Sequence, residues 1–100
     1  MSKSFLKEKA ENIKNILDEN NFEHLHVSLM SEHIIIYSKD GGEKVNRARL
    51  SFINNDNYQL SMADHTGRWE STPYTGTLDE LLNLLINDFA FALIDFDDFR

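Results

Sequence analysis

The stretch His65–Glu80, HTGRWESTPYTGTLDE, gathers a histidine, an arginine, a glutamate, the only tryptophan and the only proline of the chain. His65, Arg68 and Glu70 are the residue types of an acid–base site: an imidazole to take a proton, a guanidinium to hold a developing oxyanion, a carboxylate to orient the ring. Their spacing argues against one shared site. His65 falls in an Asp64-His65-Thr66-Gly67 turn, while Arg68 and Glu70 share a strand face from which Trp69 points away. No nucleophile elbow, phosphate-binding glycine loop or dinucleotide fingerprint occurs. The expectation is a protein that is not an enzyme; His65, Arg68 and Glu70 are the residues a catalytic reading would use.

Two other groups have chemistry to offer. His24 and His26 flank Leu25 on one strand face, spaced as metal ligands can be, but further ligands cannot be placed, so no metal and no cofactor are expected. Arg47 and Arg49 stand two apart on another strand, where paired guanidiniums can hold a carboxylate or phosphate. The competing reading is a solvated face whose charges pair across strands. His24, His26, Arg47 and Arg49 together make a basic strip that is the best ligand-facing candidate in an acidic chain.

The third group is apolar and acidic. After Leu78, Leu81, Leu82, Leu85, Phe89, Ala92, Leu93 and Phe96 supply a helical core stripe, Leu84, Ile86, Phe91 and Ile94 remain as extra apolar groups. A helix apolar nearly all round is either deeply buried or bound to a partner. Asp95, Asp97 and Asp98 then crowd its C-terminal end, where the helix dipole disfavours negative charge. Residues 84–99 are therefore the expected contact surface, with Phe91, Ile94, Phe96 and Phe99 as anchors and Asp88, Asp95, Asp97 and Asp98 as an acidic rim.

Charge and composition narrow the function classes. The net charge is −7, and residues 77–100 carry six acids against Arg100, so the acid gathers at the C-terminal end. That balance argues against nucleic acid, whose phosphates need basic surface. With no cysteine there is no disulfide, thiolate metal site or cysteine nucleophile. No apolar run has the form of a signal peptide or the length of a membrane span, and a cytoplasmic protein is expected.

The elements that must position these residues follow from periodicity. Leu6, Ala10, Ile13 and Leu17 repeat at helical spacing, and Asn20-Asn21 is a plausible stop. Leu25, Val27 and Leu29 alternate as a strand, and the run Ile34-Ile35-Ile36-Tyr37 is a second strand of ambiguous register. Asp40-Gly41-Gly42 signals a hairpin. Ala48, Leu50 and Phe52 alternate next, then Tyr58, Leu60 and Met62, then a short strand from Arg68 whose Pro73 suits a sheet edge. Thr77-Leu78-Asp79-Glu80 has the form of a capping box and opens the last helix. Trp69 and Tyr74 are expected at the joint between the last strand and that helix.

One hundred residues suffice for one core. The reading is a single α+β domain over 1–100: a helix, a five-stranded antiparallel meander and a second helix, both helices on one sheet face. The other face would show His24, His26, Arg47, Arg49, Ser51, Gln59 and Ser61. In size, charge and lack of catalytic apparatus the chain resembles small acidic bacterial inhibitor, immunity or adaptor proteins, which implies a protein-binding domain acting on a basic partner or on a second copy of itself. A small-ligand or anion-binding domain using the outer sheet face is the alternative.

Overall fold

The computed structural model describes residues 3–54, 56–64 and 66–93. Helix α1 (Lys3–Glu19) leads into strands β1 (Leu25–Met30), β2 (His33–Asp40), β3 (Glu43–Asn54), β4 (Asn57–Ala63) and β5 (Trp69–Gly76). Helix α2 (Leu78–Asn87) follows, and a 3₁₀ turn spans Ala90–Leu93. The sheet order is β1-β2-β3-β4-β5 with every pair antiparallel, which is the expected meander and α+β fold. None of the described helices is long and apolar enough to cross a membrane.

α1 buries the stripe that its spacing announces: Leu6, Ala10, Ile13 and Leu17 are all in the core. It stops in a Schellman arrangement. Asn21 takes a φ of 70°, the Phe22 N–H donates to the Leu17 carbonyl at 2.8 Å and the Asn21 N–H to that of Asp18 at 3.3 Å. Lys14 then ties the helix to the next segment, donating to Asp18 Oδ1 at 2.7 Å and to the Leu25 carbonyl at 2.7 Å. The exposed ion pair alone is worth little; the bond to Leu25 fixes where β1 begins.

The ladder resolves the isoleucine run. Ile34 pairs with Leu50 and Ile36 with Ala48, all four fully buried beneath the helices, so Ile35 faces the other way between Ser28 and Arg49. Across the core these residues meet Leu25, Tyr58 and Leu60 from the sheet and Leu78, Leu81, Leu82 and Leu85 from α2. Each fully buried aliphatic side chain contributes roughly 1.5–3 kcal/mol.

β3 contains a phase conflict that a bulge absorbs. The Gly41-Gly42 turn places Val45 opposite Ser38, on the helix side of the sheet, so helix-facing positions fall on odd numbers. The apolar residues Ala48, Leu50 and Phe52 put that face on even numbers. One extra residue must intervene, and the register does shift between Ile36 and Tyr37, which makes Arg47 the extra residue of β3. A second shift, between Gln59 and Ser61, spans Thr72–Pro73–Tyr74 on the edge strand. There the Gln59 side chain donates to the Thr72 carbonyl at 3.1 Å and Thr72 Oγ1 to that of Leu60 at 2.8 Å, replacing ladder bonds.

α2 opens with the expected capping box. Glu80 N–H donates to Thr77 Oγ1 at 3.2 Å, and Thr77 N–H donates to Glu80 Oε1 at 3.0 Å. Gly76 belongs to this device: a Cβ there would sit 3.0 Å from Glu80 Oε1. The helix is shorter than its apolar pattern suggests. It ends at Asn87, where Asp88 is the C-cap, and Leu93 reaches the core from the separate 3₁₀ turn. Asn87 and Asp88 are weak helix formers whose side chains compete for the backbone. Leu84, Ile86 and Phe89 are partly buried against the core rather than spread around a long helix.

Two outcomes test this packing. Thr77→Ala should cost about 1 kcal/mol in denaturant unfolding. The Thr77 backbone N–H, then its side chain, hold the Glu80 carboxyl below the usual carboxylate range. A depressed folded value stabilises only above the unfolded one, so the advantage of wild type over Glu80→Gln should be full at neutral pH and disappear as pH falls through Glu80's lowered value. The second concerns Tyr58, whose hydroxyl is buried with no hydrogen-bond partner. Tyr58→Phe should leave stability unchanged or raise it by up to about 1 kcal/mol, measured by the same unfolding curves.

Candidate functional site

The four residues of the expected basic strip divide between two sides of the sheet. His26 and Arg49 hold outward positions: His26 pairs with Tyr37 and Arg49 with Ile35. His24 and Arg47 do not join them. His24 precedes β1 and turns its ring to the C-terminal 3₁₀ turn, where Nε2 lies 2.9 Å from the Leu93 carbonyl. A carbonyl only accepts, so Nε2 carries the proton. Arg47 is the bulge residue, 5% exposed, and its Nε donates at 3.0 Å to Ser38 Oγ, a side chain in the row of Leu25. Strict alternation would have kept Arg47 beside Arg49; the extra residue in β3 removes it. Among the described residues no three histidine, aspartate or glutamate side chains gather as metal ligands.

The outward face is nonetheless organised around cations and rings. Reading across the strands, one row runs Ser28, Ile35, Arg49, Ser61, Ser71 and the next runs Met30, His33, Ser51, Gln59, Thr75. Arg49 lies over Trp69, with its guanidinium carbon 4.9 Å from the ring centroid. Lys44 lies over Tyr37 at 4.4 Å, and the His26 ring stands 5.3 Å from the same tyrosine. His33 Nδ1 is 2.8 Å from Ser51 Oγ. Contacts of this kind contribute about 0.5–2 kcal/mol each, depending on how dry they are.

Charge on this face is one-sided. Lys39 and Lys44 pair directly across β2 and β3, an arrangement that repels. With Arg49 they make three cations, and no outward strand position among the described residues carries a carboxylate. Asp40 and Glu43 pair with one another on the helix-facing parity, and Glu70 pairs with Met62 on that same side. Two polar atoms of the face are buried without a partner, Arg49 Nε and Asn46 Oδ1.

Of the acid–base trio, Arg68 and Glu70 are among the described residues. Asp64 Oδ1 accepts from the Thr66 N–H at 2.8 Å, the Thr66 hydroxyl at 2.6 Å and the Arg68 N–H at 3.0 Å, so this aspartate is spent on closing the turn. His65 lies outside the described residues, and Arg68 and Glu70 are exposed. Trp69 is not at the joint with α2, since it holds the outward side under Arg49. Tyr74 does reach that joint, its ring 5.6 Å from that of Phe89.

Of the expected C-terminal surface, Asp88 is exposed at the end of α2. The backbone of Phe91 belongs to the 3₁₀ turn; its side chain, and Ile94, Asp95, Phe96, Asp97, Asp98 and Phe99, lie outside the described residues. Helix α2 ends at Asn87, before Asp95, Asp97 and Asp98 in the chain, with Asp88 as its C-cap.

Tyr37, Lys39, Lys44, Asn46 and Trp69 are the face residues that periodicity alone left out. The hairpin turn was the available signal: from Gly41-Gly42 outward, Lys39 with Lys44 and Tyr37 with Asn46 follow by counting. No curated protein and no solved structure matches the chain. A family model described as Domain of unknown function (DUF3024) matches residues 3–91, which takes in both helices, all five strands and every residue of the outward face. The chain belongs to the DUF3024 family.

Proposed function

We propose that this chain is a non-catalytic binding domain that holds a small anionic ligand on the outward face of its sheet. The observation that carries the reading is Arg49: a guanidinium stacked on Trp69, with a buried Nε that has no partner, on a face whose described strand positions carry no carboxylate, in a chain of net charge −7. Guanidinium recognises carboxylate and phosphate oxygens through its fixed fork of donors. Lys39 and Lys44, opposed across two strands, add like charges that an anion would relieve. The Tyr37 and Trp69 rings hold Lys44 and Arg49 in place, which lowers the entropy lost on binding. A small anion fits better than a long nucleic acid, because the chain as a whole carries net negative charge and a polyanion would run beyond the basic patch.

The competing reading is a protein-binding domain using residues 84–99, with a basic partner or a second copy of the chain. Its support is the gathering of six acids in residues 77–100. An NMR titration with inorganic phosphate and with citrate at low ionic strength distinguishes the two. The expected outcome is saturable shifts in β2 and β3 outward residues that weaken with added salt. Arg49→Ala should reduce affinity by roughly tenfold or more, the equivalent of one charge-assisted contact. Absence of shifts with either anion would end this reading. Capture of a basic protein that depends on residues 88–99 and ignores Arg49→Ala would put the protein-binding reading in its place.

A further inference from the structure

The sheet has two edges, and they are built differently. β5 carries the devices that keep an edge from pairing: Pro73, which cannot donate, an exposed Glu70 and the register shift around Thr72–Pro73–Tyr74. β1 has none of them. It holds no proline, lysine, arginine or carboxylate, its ladder to β2 is unbroken, and it ends on Met30, which is 61% exposed. We infer that β1 is an interaction edge whose partner is β1 of a second copy of this chain, the two joining antiparallel about a two-fold axis at Ser28.

Hydrogen-bond parity fixes which groups are free. The Ser31-Glu32 turn has positive φ at Ser31 alone and joins β1 to β2 as a two-residue hairpin, so Met30 and His33 bond one another. Alternation then commits Ser28 and His26 to β2 and turns the backbone of Leu25, Val27 and Leu29 away from it. Leu25 is answered from within the chain: its N–H donates to the Phe22 carbonyl at 3.0 Å, and its carbonyl accepts from Lys14 Nζ at 2.7 Å. Val27 and Leu29 have no such partner among the described residues, which leaves their N–H and C=O groups on the open edge.

These groups select both the partner and the register. Val27 set opposite Leu29 of a second copy, and Leu29 opposite its Val27, satisfies every one of them and asks nothing of Leu25. The pairing puts Ser28 against Ser28 at the axis and Met30 against His26. Directly opposed residues point to the same face, so helix side meets helix side, and the partly buried Val27 and Leu29 extend the core across the joint. Because β5 is blunted, the assembly closes at two copies instead of growing into a fibre.

Charge does not oppose the joint. Lys14 marks the stripe of α1 that lies beside β1, and at helical spacing that stripe holds Lys7, Glu11, Lys14 and Asp18. Its cations and carboxylates cancel, and the alternating order, reversed by a two-fold axis, brings unlike signs together. A chain of net charge −7 thus meets itself along a neutral strip.

The chain has no cysteine, so a single introduced one reports on the axis. Residues opposed in a non-hydrogen-bonded pair have Cα atoms about 4.5 Å apart, within disulfide reach. Ser28→Cys should therefore form a disulfide-linked dimer on mild oxidation of the folded protein. Met30→Cys should not, because the axis sets its two copies four residues of strand apart, ~13 Å. Sedimentation of the wild type should show a monomer–dimer equilibrium that depends on concentration. Val27→Pro removes one outward donor from each copy and leaves the bonds between β1 and β2 in place. It should shift that equilibrium toward monomer by roughly tenfold or more, with the circular dichroism spectrum retained. Arg49→Ala should change neither result, which separates this edge from the anion-binding face. A wild type that stays monomeric up to about 1 mM would overturn the inference. So would a dimer in which Ser28→Cys and Met30→Cys cross-link alike or not at all, a comparison that stands even if Val27→Pro fails to fold.

Discussion

Two glycines between Asp40 and Glu43 set the register on which the other features depend. A two-residue I′ turn needs positive φ at both central positions, and Gly41 and Gly42 provide 60° and 87°. That pins Asp40 to Glu43 and Ser38 to Val45, and from there decides the side of the sheet for each residue of β2. A slip of one residue would turn Ile34 and Ile36 to water and bring Tyr37 and Lys39 under the helices. Three more strands and the helices are laid against this hairpin. The cost of misplacing it is the cost of the core.

The bulge at Arg47 follows from the same constraint. Turn geometry and apolar alternation assign opposite phases to the two ends of β3, and neither end can yield. The hairpin end is held by backbone dihedrals, and the far end by the burial of Ala48 and Leu50. One extra residue reconciles them, and it happens to be an arginine, which is carried to Ser38 and away from Arg49. An arginine stays charged when buried, so its new surroundings have to satisfy it, and the Ser38 hydroxyl is part of that. The outward face loses one cation and keeps three.

The result is a molecule whose two sides differ in charge and in kind. The helix side holds the core and the capping box, with Asp40, Glu43 and Glu70 on the same strand parity. The outward side holds lysines, an arginine and imidazoles set against aromatic rings, with no carboxylate on the described strand positions. Net charge alone describes neither. In a chain of −7, an unopposed basic patch has a steep local field, because acids elsewhere are largely screened beyond a Debye length of about 8 Å at physiological salt.

Much of the fold was legible in residue order, because the signals for it are local. Helical spacing marked Leu6 to Leu17, Asn21 marked the stop, Gly41-Gly42 the hairpin and Thr77-x-x-Glu80 the start of α2; each element formed where its own residues required it. The candidate face was legible only in part. His26 and Arg49 were placed correctly by alternation, whereas His24, Arg47 and Trp69 were not, since alternation holds only within an unbroken ladder. The end of α2 was misjudged because apolar spacing continues past Asn87 although the backbone does not. Residue order by itself therefore determined the elements, their sequence and the identity of most core residues, all set by interactions between near neighbours. Tertiary structure decided which polar residues share a face, where the bulge carries Arg47 and that Tyr58 keeps an unmet hydroxyl above β4, because those outcomes depend on how distant strands are brought into register.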